Sequence, residues 1–212
     1  MKTKTTLIEG IAAPLAQANL DTDQIMPKQF LRGIDKQGLA AGLLYDLRFY
    51  PDGKARPDFI LNLPAYENAT ILVGGANFGC GSSREHAVWG MQQFGIKAVI
   101  ASSFGEIFYS NAMNNGLLLV MIPDEAIEQL MNGAGTDPVH LTIDIEKLEV
   151  SNGRVSTPFH LSDRHHKMIL NGLDMLGASL LYKTEIISFA EKWHEQRPWL
   201  KDVARSVREK LS

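Results

Sequence analysis

Residues 70–101, TILVGGANFGCGSSREHAVWGMQQFGIKAVIA, decide the fold. Thr70, Ile71, Leu72 and Val73 form a short β-type run that ends on Gly74 and Gly75. A glycine-rich loop follows to Gly81, and the pattern predicts a helix from Ser82 or Ser83. Ser82 and Glu85 have capping-box spacing, in which the serine caps the helix and the glutamate reaches back to the cap. Ala87, Val88, Met91 and Phe94 then recur at helical spacing, and Gly95 is a plausible stop. Lys97 to Ala101 is the next strand. A strand, a helix and a strand of this size make a βαβ unit, hence parallel strands joined by a right-handed crossover.

The pattern continues outward on both sides. Downstream, residues 104–114 read as a helix, residues 117–122 as a buried strand and residues 124–131 as a helix. Val139, Leu141, Ile143 and Ile145 alternate with polar residues, the period of a half-buried strand. Asn152-Gly153 marks a hairpin between residues 148–150 and Arg154-Val155. After Ser162 the chain reads as helix in two pieces, interrupted near Asn171-Gly172. Upstream, a short strand is expected over residues 4–8. A helix is expected over residues 37–47, with Leu39, Leu43, Leu44 and Leu47 on one face, and a loop over residues 49–58. The sum is an α/β fold with a mixed sheet and helical appendages, expected as one domain over residues 1–212 with a helical tail from about residue 174.

Composition narrows the function. With 212 residues and 45% hydrophobic side chains, the chain is long enough for a core without covalent staples. A net charge of −3 argues against nucleic-acid binding driven by charge. A single cysteine excludes an internal disulfide framework and a cysteine-ligated iron–sulfur cluster built from this chain alone. The longest apolar run, Leu117 to Ile122, is six residues, against roughly 20 for a spanning helix. Glu9, Gly10 and Pro14 interrupt any signal-type apolar stretch near the N-terminus, so a cytoplasmic location is expected.

The chemistry concentrates between Asn77 and His86. A loop entering a helix N-terminus offers backbone N–H groups and the positive end of the helix dipole, and glycines let an anion approach closely. Arg84 stands in the first turn, where a cation is unfavourable for the dipole but is placed for a bidentate grip on a carboxylate. The dinucleotide fingerprint lacks its third glycine, and neither a phosphate-binding GxxxxGK[ST] loop nor a GxSxG elbow is present. Cys80 reads either as an activated thiol at a helix start or as a small packed side chain. Ser82 and Ser83 read as caps or as functional hydroxyls, and Asp21-Thr22-Asp23 as an Asx turn or helix cap. The histidines have no metal-ligand spacing.

Two stretches, residues 19–30 (NLDTDQIMPKQF) and residues 77–87 (NFGCGSSREHA), together resemble the small subunits of 3-isopropylmalate dehydratase, in the aconitase superfamily. Residues 102–109 with Asn114-Asn115-Gly116, and Asn171-Gly172-Leu173-Asp174, are similar to two further family blocks. The resemblance implies the swivelling β/β/α fold. It also implies interconversion of 2-isopropylmalate and 3-isopropylmalate in leucine biosynthesis, in an active site shared with a large subunit that carries a [4Fe–4S] cluster. No metal or cofactor is implied on this chain itself. By motif match, Ser82 stands at the catalytic-base position and Asp23 at an active-site aspartate. Ser83 and Arg84 match carboxylate binders, Arg32 a substrate-recognition contact, and Gly79, Cys80 and Gly81 the supporting loop. Two alternatives stay open: a related dehydratase for homoaconitate- or citraconate-type acids, and a carboxylate-binding module without catalysis.

Overall fold

The computed structural model describes residues 5–31, 37–82, 84–132 and 137–211. Its centre is a seven-stranded mixed sheet in the order β4-β3-β2-β1-β5-β6-β7. The strands are β1 (Leu7–Leu15), β2 (Ala69–Gly74), β3 (Ala98–Ala101), β4 (Leu118–Met121), β5 (Val139–Asp144), β6 (Glu149–Ser151) and β7 (Ser156–Pro158). The helices that position the site are α1 (Thr22–Ile25), α2 (Tyr45–Arg48), α3 (Glu85–Phe94) and α4 (Glu106–Asn115). They are followed by α5 (Asp124–Met131) and α6 (Asp163–Leu170).

The two halves of the sheet follow from two hydrophobic patterns. From β1 to β4 every pairing is parallel, with Ile71 opposite Ala98 and Ala98 opposite Leu118. Helical crossovers cover such strands on both faces, so they are apolar without alternation: all four residues of β3 are buried. From β1 through β5, β6 and β7 the pairing is antiparallel. There Leu141 and Ile143 are buried while His140 before them is exposed and Thr142 between them half-buried, the alternation of a strand with one wet face. The hairpin at Asn152-Gly153 closes with the Asn152 carboxamide accepting from the N–H groups of Arg154 and Val155, both at 2.9 Å.

Two local expectations change. The first strand is nine residues rather than five and contains Pro14. Its pairing to β5 ends at Ala12, so Pro14 has a strand on one side only, the condition under which a strand tolerates proline. Residues 37–47 are not one helix. A 3-10 turn over Leu39–Gly42 gives way to Leu44 in the left-handed region (φ 53°), and α2 starts after it. The Leu44 N–H donates to the Ile25 carbonyl at 2.8 Å, so a tertiary bond to α1 takes the donor that helical continuation needed. The apolar face survives the break: Leu39, Leu43 and Leu44 are buried.

The chain divides into two compact units, residues 1–174 and 175–212. The second is helical, with α7 (Met175–Leu180), α8 (Lys183–Gln196) and α9 (Val203–Leu211). Within it Phe189 stacks on Trp193 at 5.7 Å and the Arg197 guanidinium lies over the Trp193 ring at 3.8 Å. Among the described residues no helix is long and apolar enough to cross a membrane.

Candidate active site

β2 delivers the chain into the glycine-rich loop, which is held from two sides. Along one flank runs the segment before α1. The Asn19 N–H donates to the Ala76 carbonyl (2.8 Å), the Gly79 N–H to that of Leu20 (2.8 Å) and the Thr22 N–H to that of Cys80 (2.9 Å). The Asn77 side chain adds a bond to the Asn19 carboxamide oxygen at 2.8 Å. Along the other flank runs the segment after β3. The Phe78 N–H donates to the Ser103 carbonyl (3.0 Å), and the Gly105 N–H returns a bond to the Phe78 carbonyl (2.9 Å). The loop is thus the middle one of three chain segments, with parallel bridges Asp21–Cys80 and Phe78–Phe104. Gly79 is required by position as well as by conformation: at φ 74°, a Cβ there would fall 2.3 Å from the Phe108 ring.

This arrangement brings together the two blocks singled out from sequence. Asp21 caps α1: its carboxylate accepts from the Gln24 N–H at 2.7 Å, and the Gln24 side chain accepts from the Asp21 N–H at 3.1 Å. The cap reading therefore holds for Asp21, and it leaves Asp23 to reach outward. Asp23 forms an ion pair with Arg84 through two buried atoms, Oδ1 and Nη1, and a second, longer contact with Lys28 at 3.5 Å. The Arg84 side chain is 22% exposed and that of Asp23 42%, so the pair is partly screened from water. The carboxylate also offsets the arginine charge at the positive end of a helix. Thr22, 1% exposed, donates its hydroxyl to the Ser82 carbonyl at 2.9 Å. Ser82 itself is exposed, and Cys80 is half-buried with a free thiol.

The helix start differs from the capping box expected at Ser82 and Glu85. α3 begins at Glu85, Arg84 occupies the N-cap in an extended conformation, and among the described residues no side chain caps the helix. The reason is tertiary. The Ser82 carbonyl is committed to the Thr22 hydroxyl and to the Arg84 N–H, the latter at 2.9 Å. Glu85 does not reach back; its carboxylate accepts from the Asn115 side chain at 3.0 Å. Ser83 and Arg32, both assigned by motif match, lie outside the described residues. Sequence reasoning missed Thr22 as a partner of the loop block and Lys28 as a second contact of Asp23. No local spacing signals the Thr22 bond, which crosses 60 positions.

Among the described residues no three His, Cys, Asp or Glu side chains gather as a metal site. A cavity of about 440 Å³ lies elsewhere, lined by Gln92, Lys97, Leu173 and Asp174 among others, and none of the described residues of the two motifs lines it. Large cavities are the usual first candidates for a small-molecule site. The convergence of Ser82, Arg84 and Asp23 outweighs volume here, because that cavity gathers no comparable reactive set.

Comparison with known proteins gives first the class. The model of the aconitase C-terminal domain matches residues 2–125. The chain is 57% identical over 208 residues to 3-isopropylmalate dehydratase small subunit 1 of Chromobacterium violaceum, covering 98% of both chains. It is 44% identical over 200 residues to the 3-isopropylmalate dehydratase small subunit of Paracoccus denitrificans, covering 93% of this chain and 99% of that one. Among solved structures it is similar to 3-isopropylmalate dehydratase of Methanocaldococcus jannaschii, with a TM-score of 0.64 and 30% identity, over 87% of this chain and 99% of that chain. The chain belongs to the aconitase C-terminal domain family, and within it to the 3-isopropylmalate dehydratase small subunits.

Proposed function

We propose that this chain is the small subunit of a hydro-lyase that interconverts 2-isopropylmalate and 3-isopropylmalate by dehydration and rehydration. The observation that carries the reading is the meeting of the two motifs: Thr22 holds the Ser82 backbone, and Asp23 holds Arg84, at the junction of the loop and α3. In this reading the Ser82 oxygen, as alkoxide, takes the proton from the carbon next to a substrate carboxylate. The hydroxyl on the neighbouring carbon departs, leaving an unsaturated acid, and water adds back in the opposite sense to give the isomer. Loop N–H groups, the α3 dipole and the Arg84 charge favour the anionic oxygen. Arg84 and Ser83 bind a substrate carboxylate, and Arg32 contacts the substrate. Asp23 keeps Arg84 extended toward the site until a carboxylate competes for it.

The reading places the chain in the cytoplasm, takes residues 1–174 as the swivelling domain with residues 175–212 as its helical extension, and supplies a large subunit as partner. The [4Fe–4S] cluster implied by the family resemblance belongs on that partner. One cysteine, and no gathered ligand set among the described residues, do not fit a cluster on this chain, and none of the steps above passes through it. An exposed Ser82 fits an active site whose other wall is a second chain.

The test combines this chain with a cluster-bearing large subunit and follows the ultraviolet absorbance of the unsaturated intermediate formed from 3-isopropylmalate. Ser82→Ala should abolish turnover while the complex still forms in gel filtration. Substantial retained turnover would remove Ser82 from the base role. Absence of signal from the wild-type pair, with isopropylmalates and with homoaconitate- or citraconate-type acids, would leave a carboxylate-binding module instead.

A further inference from the structure

Asn115, the last residue of α4, makes three hydrogen bonds with side chains of α3 and one within its own helix. Its side-chain NH2 donates to the Glu85 carboxylate (3.0 Å) and to the Asn111 carbonyl (2.8 Å). Its side-chain oxygen accepts from the Trp89 indole N–H at 3.0 Å. Its backbone carbonyl accepts from the Gln92 side chain at 2.8 Å. The orientation of the carboxamide is determined by this set. An indole N–H only donates, and a carboxylate and a carbonyl only accept, so the flipped amide would lose all three side-chain bonds. Aspartate has the same shape but no donor, and it would set a second negative charge against Glu85.

The other end of α4 is tied to the glycine-rich loop. Gly105, immediately before the helix, bonds the Phe78 carbonyl, and a Cβ on it would lie 2.6 Å from the Gly79 carbonyl oxygen. The ten-residue helix therefore spans from the loop to α3, the two pieces whose junction carries Ser82 and Arg84. Among the described residues no side chain caps that junction. Beside the Asp23–Arg84 pair, Asn115 bonds Glu85, the residue next to Arg84.

We infer that Asn115 is a positioning residue: through Glu85 it sets where the first turn of α3 stands relative to the loop, and so where Arg84 meets the substrate carboxylate. The inference rests on the carboxylate-binding role proposed for Arg84, and two readouts separate the two claims. The first needs no activity. Hydrogen exchange at residues 88–91, whose N–H groups bond back to the first turn of α3, should accelerate in the folded full-length chain in Asn115→Asp and in Glu85→Ala. It should stay at the wild-type rate in Glu85→Gln, whose side-chain oxygen still accepts from Asn115. The second uses the assembled pair. Asn115→Asp and Glu85→Ala should raise KM for 3-isopropylmalate roughly tenfold with a smaller change in kcat, because the carboxylate grip is displaced rather than removed. Trp89→Phe, which loses a bond farther along the helix, should weaken the fold yet keep KM within about twofold.

Wild-type exchange at residues 88–91 in both disruptive variants would overturn the inference. So would wild-type KM in both with an active pair, or an equal KM rise in Trp89→Phe. Should Asn115→Asp fail to fold, the Glu85→Ala and Glu85→Gln pair decides alone. An inactive wild-type pair with the expected exchange pattern would instead count against the proposed reaction.

Discussion

Replacing Thr22 by valine tests whether the contact between the two motifs serves catalysis or only folding. Thr22 is 1% exposed, and its hydroxyl lies 2.9 Å from the Ser82 carbonyl oxygen. Valine keeps the branched shape and substitutes a methyl for the hydroxyl. The lost hydrogen bond is worth about 0.5–1.5 kcal/mol net. Ser82 is exposed, so water can solvate its released carbonyl and the cost falls toward the lower half of that range. For a chain of this size the melting temperature should drop by roughly 2–4 °C per kcal/mol. The geometric consequence is larger than the energetic one. A carbon stands about 3.3–3.6 Å from a carbonyl oxygen, so the loop must retreat by a few tenths of an ångström at the residue proposed as base. A displacement of about 1 Å can cost ~10²-fold in rate, so kcat should fall roughly tenfold while KM changes little. The assay is turnover of the assembled pair beside thermal unfolding of the isolated chain by circular dichroism. Thr22→Ser, which retains the hydroxyl, should recover kcat despite the lost methyl. Wild-type kcat in the valine variant at reduced stability would make the bond purely structural and refute the reasoning. An equal loss in the serine variant would point to packing instead.

Arg84→Lys retains a charge for Asp23 but not the planar two-point grip, so KM for isopropylmalate should rise at least ~10-fold; an unchanged KM would remove Arg84 as the carboxylate clamp. Gly79→Ala combines a left-handed φ with a Cβ 2.3 Å from the Phe108 ring, whereas at Gly81 the nearest atom to a new Cβ is 3.5 Å away and only the φ of 94° opposes it. Urea titration should therefore find Gly79→Ala destabilised by about 2–5 kcal/mol and Gly81→Ala by about 1–2 kcal/mol, and equal losses would contradict that packing. Burial, and after it the charge of Arg164, hold the His165 imidazole below its ordinary value. The unfolded imidazole then takes its proton first as pH falls through about 6.5. His165 therefore supports the fold fully above that pH, and this support is lost between there and its lower folded value. Wild type should lose more stability than His165→Gln between about pH 7.5 and 5.5, measured by denaturant midpoint, and parallel losses would contradict the sign.

Much of this molecule is legible in its sequence where short-range pattern governs it. The apolar runs at residues 70–73, 97–101 and 117–122 fall on β2, β3 and β4, and the helix expected over residues 124–131 coincides with α5. Those elements obey periodicity because each is covered by neighbours in the same βαβ rhythm. Three misreadings share one cause. At Leu44, at Ser82 and at Glu85, a backbone or side-chain group that local rules assign to a helix is taken by a partner distant in sequence: Ile25, Thr22 and Asn115. Local propensities are worth tenths of a kcal/mol to about 1 kcal/mol, and a well-placed tertiary hydrogen bond competes at that scale.

The sequence by itself determined the chemical inventory: a serine, an arginine and an aspartate in two recognisable blocks, glycines where the backbone must come close, and one cysteine, too few for a cluster. It also determined the βαβ rhythm that presents the loop at the end of β2. Only the tertiary structure decided that the two blocks are one site. Asp23 meets Arg84, and Thr22 meets Ser82 across 60 positions, because β1 lies beside β2 in the sheet. The segment leaving β1 therefore runs along the loop that leaves β2. Periodicity encodes which face of an element is buried, but strand order and the hydrogen bonds between loops arise only when the whole sheet is assembled.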